Sequence, residues 1–122
     1  MAPDVEAAPG TYSKKLTLKV YFKGDSAKLI AATKAKIAAF VKKIKASGGK
    51  PSITVIGKVK ETVDKSYDVR LSTQRALNVA KEMKRLKALG VYKTVAAGIS
   101  PENKAISRRV EITAIWPKTA TK

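Results

Sequence analysis

The sequence predicts an α+β domain: a two-layer sandwich of order β-α-β-α-β-β, with a mixed four-stranded sheet and two helices on one face. Three observations carry this reading. "KLTLKVYF" alternates Leu16, Leu18, Val20 and Phe22 with Lys15, Thr17, Lys19 and Tyr21, the period of a strand with one buried face. Two longer segments carry apolar residues at helical spacing and are followed by glycine, "GG" at 48–49 and Gly90. The remaining apolar runs are short, and strands alternating with two helices imply right-handed crossovers.

Each element follows in order. Residues 1–14 are rich in Pro, Ala and Gly and read as a flexible lead-in or linker. After the first strand and the turn residues "KGDS", the first helix is expected at about 31–47, with Ile37, Phe40, Val41 and Ile44 on one stripe and lysines opposite. "SITVIGKV" is the second strand, and Gly57 marks a place where the chain approaches something closely. Leu71, Ala76, Val79, Ala80, Met83 and Leu86 predict the second helix over about 68–88. "KTVAAGI" and "RRVEITAIW" are short strands joined by "SPENKAI". The domain is thus 15–116, with a frayed tail at 117–122.

A length of 122 residues suits one domain with a core that needs neither metal nor disulfide. The formal net charge of +17 alongside 44% hydrophobic residues describes a globular chain with a strongly positive surface, and hence an anionic partner. Only five of the 26 cations are Arg, which disfavours base-reading nucleic-acid recognition. The lysines of the helix faces, such as Lys34, Lys42, Lys81 and Lys84, supply a field without an aromatic platform or recognition-helix pattern. With no Cys and no His, the chain lacks thiol chemistry, the commonest general base and the commonest metal ligands, so no enzyme, cofactor or metal is expected. No run of about 18 apolar residues is present, and "MAPDVEAAPG" lacks the basic start and apolar middle of an export signal.

Two short matches fail on context. "SGGK" at 47–50 has the Ser-x-x-Lys spacing of serine acylases but closes a helix instead of opening one. "GGKP" is no phosphate loop, because Ile44 stands where its first glycine belongs and Pro51 where a hydroxyl belongs.

The stretch "GKVKETVDKSYDVRLSTQRALNV", 57–79, is more specific. Leu71 and Arg75 share a helical face, and Asp68 lies about one turn before Leu71. By spacing alone, Asp68 caps the helix and Arg75 pairs with it or with Glu61. "YDVRLSTQRALNV" also resembles the signature of OmpA-like C-terminal domains, in which Tyr-Asn-x-x-Leu-Ser-x-x-Arg-Ala follows a strand ending Gly-x-Thr-Asp. "VYFKGDSAKL" is similar to that family's Phe-x-x-x-x-Ala-x-Leu entry, and "SRRVEI" to its closing Asn-Arg-Arg-Val-Glu-Ile. These motifs span 20–112 in the family's order.

The resemblance implies the β-α-β-α-β-β fold and non-covalent binding of peptidoglycan through the diaminopimelate of a stem peptide, in the cell envelope outside the cytoplasm. It places Arg75 at the carboxylate-binding position, at least one of Arg108 and Arg109 beside the same pocket, and Asp25 in the loop forming its other wall. Leu71 and Ser72 match as packing and capping residues. The chain departs from the pattern where Val59 and Lys60 replace Thr-Asp and Asp68 replaces Asn. Three arrangements follow: Asp68 takes over the ligand ammonium, Lys60 and Asp68 pair and close the pocket, or Lys60, Arg75 and an arginine of 108–109 form an anion site. "GISPENKAIS" is a shortened form of the family's loop before the last strand, which trims the pocket rim. The first expectation is a wall-binding domain with an altered pocket, its partner peptidoglycan or another anionic wall polymer. The alternative is a basic module for teichoic acid, anionic lipid or nucleic acid, with the pocket idle.

Overall fold

The computed structural model describes residues 12–23, 26–59, 65–99 and 108–117. In chain order the elements are β1 (Tyr12–Tyr21), α1 (Ala31–Ser47), β2 (Ser52–Val59), α2 (Lys65–Arg85), β3 (Val91–Ile99) and β4 (Arg109–Pro117). The α+β sandwich with two helices on one face of a mixed four-stranded sheet is therefore the fold. β1 takes in residues 12–14 of the expected lead-in and β4 takes in Pro117 of the expected tail; the rest of both, and the loop over 100–107, lie outside the described residues.

The sheet order is β1-β4-β2-β3. β2 and β3 pair parallel, and β4 pairs antiparallel with both β1 and β2. Strands β1, β2 and β3 consequently run the same way, and β4 fills the slot that the α1 crossover leaves between β1 and β2. The ends of β1, β2 and β3, the start of β4 and the N-termini of both helices meet at one end of the sandwich.

Alternation decides what the sheet offers the helices. Val20 on β1, Ile53 and Val55 on β2, and Val110, Ile112 and Ala114 on β4 join Ile37, Phe40 and Ile44 of α1 and Val79 and Met83 of α2 in one core. Leu16 and Leu18, expected on the buried face, are only half-buried at its margin. At the far end Trp116 Nε1 donates to the Gly48 carbonyl at 2.7 Å. That bond ties β4 to the α1 stop, where Gly48 and Gly49 both take positive φ.

Helix α2 corrects the sequence reading at both ends. It begins at Lys65, so Asp68 lies in its first turn and is no cap. It stops before Gly90, because Lys87 takes φ 69°, its N–H donates to the Lys84 carbonyl and the Ala88 N–H donates to the Met83 carbonyl. That is a Schellman stop built on a lysine. Gly90 instead passes close to Pro51, whose carbonyl accepts the Val91 N–H at 2.9 Å.

Candidate functional site

Gly57 sets how near α2 sits to the sheet. A Cβ built there would come within 1.8 Å of the Ser72 carbonyl oxygen, so β2 and α2 touch backbone to backbone. This is the close approach predicted at Gly57, and its partner is the helix itself. Ser72 is fully buried, with its hydroxyl donated to the Val69 carbonyl at 2.9 Å. It is an interior residue of α2, so the capping role expected from the sequence does not hold: the helix starts two turns earlier.

The tight seating places one face of α2 against the end of the sheet where the connections gather. Asp68, Leu71 and Arg75 lie on that face, at 2%, 8% and 0% exposure. A carboxylate in the first turn of a helix is favoured by the dipole, which offsets part of its burial. Arg75 Nε donates to the Ser26 carbonyl at 2.9 Å and Nη1 to the Lys58 carbonyl at 3.1 Å. Its guanidinium carbon stands 5.1 Å from the centre of the Phe22 ring. One turn on, Asn78 Nδ2 donates to the Ala27 carbonyl at 2.8 Å. Arg75 and Asn78 thus fasten the chain after β1 to α2, and Arg75 adds the end of β2.

The tandem arginines are split by the strand. Arg109 pairs with Tyr21 across β1 and β4, and Phe22 N–H donates to the Arg108 carbonyl at 2.7 Å. Position 108 is therefore on the helix side opposite Phe22, while Arg109 is on the helix-free face. There Arg109 Nε donates to Glu111 Oε2 at 2.6 Å, and Lys58 Nζ meets the same oxygen at 3.1 Å. Burial works against the charged Glu111 carboxylate, but the hydrogen bonds and charges of Arg109 and Lys58 outweigh it and hold the carboxyl below its usual range.

A folded pKa below the ordinary 4.5 stabilises the fold above that value, and the contribution disappears as pH falls through the lowered folded value. Replacing Glu111 with Gln is therefore expected to cost on the order of 1 kcal/mol at neutral pH and close to nothing in strong acid. Urea denaturation of both proteins at the two pH values measures the difference.

The structure thus brings Asp68, Arg75 and position 108 to one end of the helix side and does not bring Arg109 with them. Asp25 and Lys60 lie outside the described residues. Reading the sequence missed Asn78, although it follows Arg75 by three residues on one face and could have been found by that spacing. It also missed the Ser26 and Lys58 carbonyls, which no side-chain pattern announces. No group of three or more metal-ligating side chains occurs among the described residues, and no described helix is long and apolar enough to cross a membrane.

Comparison with known proteins agrees with this geometry. The OmpA-like domain of FopA1 from Francisella tularensis is 28% identical, with TM-score 0.63, over 88% of this chain and 77% of that one. The peptidoglycan-associated lipoprotein from Burkholderia pseudomallei shares the fold at 20% identity and TM-score 0.65, over 79% and 88%. The cell wall anchor of the T6SS from Pseudomonas aeruginosa does so at 19% and 0.59, over 85% and 82%. No curated protein sequence matches. The family model for the OmpA family matches residues 21–98, the span from the end of β1 through α2 into β3 that includes Asp68, Arg75 and Asn78, and the chain belongs to that family.

Proposed function

We propose that this chain is a non-covalent peptidoglycan-binding module that tethers an envelope protein to the wall, outside the cytoplasm, and that its site is the N-terminal end of α2. The observation that carries the reading is a buried carboxylate, Asp68, and a buried guanidinium, Arg75, on one face of the first turns of α2 in a chain of the OmpA family. Two of the proteins it resembles are named for association with peptidoglycan or the cell wall.

A stem peptide offers a carboxylate and an ammonium, and one fixed cation with one fixed anion match that pair. Arg75, 0% exposed, supplies the positive charge at the base of the site. Asp68 supplies the negative one, in place of the acid that the family carries where this chain has Lys60. Arg108 belongs to the rim by its position, and Asp25 and Lys60 by sequence alone. Arg109, bonded to Glu111 on the other face, serves the framework. The bonds from Arg75 to the Ser26 and Lys58 carbonyls hold the bordering segments in place before ligand arrives, which lowers the ordering cost of binding.

Co-sedimentation with purified sacculi at roughly 0.15 M salt, where distant charges are screened, tests this. The wild-type protein is expected to pellet. Asp68→Asn and Arg75→Lys, which alter charge or fork with little change of volume, are each expected to weaken pelleting at least about tenfold while still unfolding cooperatively. Unchanged pelleting of both variants would remove the site from this function. Sacculi with diaminopimelate and with lysine in the stem peptide identify which amine the altered site takes.

A further inference from the structure

Wall binding would occupy one end of the sandwich and leave its outer helical face unused. That face carries five cations around one acid. A groove of about 580 Å³ between α1 and α2 is lined by Lys28, Lys34, Lys81 and Arg85, with Leu29 and Asn78. On the opposite flank of α2 a hollow of about 310 Å³ shares Lys81 and Asn78 and adds Lys84, Leu77 and Tyr92. All five cations are exposed. The acid among them, Glu82, is already held by Arg85 through two bonds of 3.0 and 2.7 Å. The helix-free face differs, because Glu111 there engages both Lys58 and Arg109.

We propose that this helical face docks on an anionic phospholipid bilayer, independently of the wall-binding site. The form of the patch favours a surface over a threaded polymer. Its cations come from the chain before α1, from α1 and from α2, and they lie on both sides of the groove instead of along one track. The two helices, 17 and 21 residues long, span about 25 and 32 Å, enough to seat many headgroups at once. Four of the five cations are lysines, point charges that need no register with their partner. The face offers no open platform for stacked bases: Lys84 Nζ stands 4.9 Å above the Tyr92 ring, whose hydroxyl is donated to the Ala88 carbonyl. Leu77, 44% exposed and lining the second hollow, enters the headgroup layer as the apolar contact.

Vesicle co-sedimentation separates this surface from a mere net-charge effect. Vesicles containing phosphatidylglycerol are compared with phosphatidylcholine alone, using wild type, Lys81→Gln/Lys84→Gln on the helical face and Lys19→Gln/Lys93→Gln on the helix-free face. The two double variants lose the same charge. At about fivefold for each headgroup-facing cation, the helical pair is expected to lower partitioning to phosphatidylglycerol vesicles by about 25-fold, and the control pair by far less. Phosphatidylcholine vesicles are expected to bind none of the three proteins. Equal losses in the two pairs, no binding to phosphatidylglycerol vesicles, or tighter binding of a soluble linear polyphosphate with the same sensitivity to Lys81 and Lys84 would each overturn the proposal. The vesicles contain no wall polymer, so Arg75→Lys is expected to leave vesicle binding intact, and failure in either assay is readable without the other.

Discussion

Gly57→Ala is expected to destabilise the domain by about 3 kcal/mol or more, because its added Cβ makes the closest approach among the described glycines. The added Cβ would stand 1.8 Å from the Ser72 carbonyl oxygen and 2.8 Å from its carbon, and both are backbone atoms inside a helix. No side chain can rotate away. Relief requires α2 to lift from β2, which loosens Ala76, Val79 and Met83 from the core. The same lift stretches the bond from Arg75 to the Lys58 carbonyl, one residue from Gly57. Stability and wall binding should therefore fall together, measured by urea denaturation and sacculus pelleting. A Gly57→Ala protein with wild-type stability would show that β2 and α2 are less closely seated than described.

Arg75→Ala is expected to cost about 3 to 5 kcal/mol, lowering the melting temperature by at least about 12 °C for a domain of this size. The guanidinium is wholly covered, and its removal takes the donors from the Ser26 and Lys58 carbonyls and empties the space over Phe22. Thermal unfolding followed by circular dichroism reads the loss. Arg75→Lys keeps the charge and most of the volume but loses the fork, so its stability should fall between the two proteins. If Arg75→Ala unfolded like wild type, the interactions around the guanidinium would not hold the site end together. The alanine variant alone cannot separate folding from binding, and the milder Lys and Asn replacements are the ones suited to the sacculus assay.

The shared face of Asp68 and Arg75 was legible because seven residues is two helical turns, and helix periodicity is a local property of the chain. The same local rule gave α1 at 31–47 and β2 at 52–59 with the bounds observed. It failed at the end of α2, where glycine marks the usual stop and Lys87 takes the left-handed conformation instead. It also left Arg108 and Arg109 as one unit, because the side each takes depends on the register with Tyr21 and Phe22, far earlier in the chain.

By itself, then, the sequence determined the order and type of the elements, the positive surface, the family signature and the shared face of Asp68, Leu71 and Arg75. These follow from spacing, composition and side-chain type, which are local properties. Only the tertiary structure decided the strand order β1-β4-β2-β3, the backbone contact at Gly57, the carbonyls that receive Arg75 and the separation of the two arginines. The physical reason is that carbonyl acceptors are the same at every residue and a sheet slot is filled by pairing distant segments, so neither leaves a mark in the pattern of side chains.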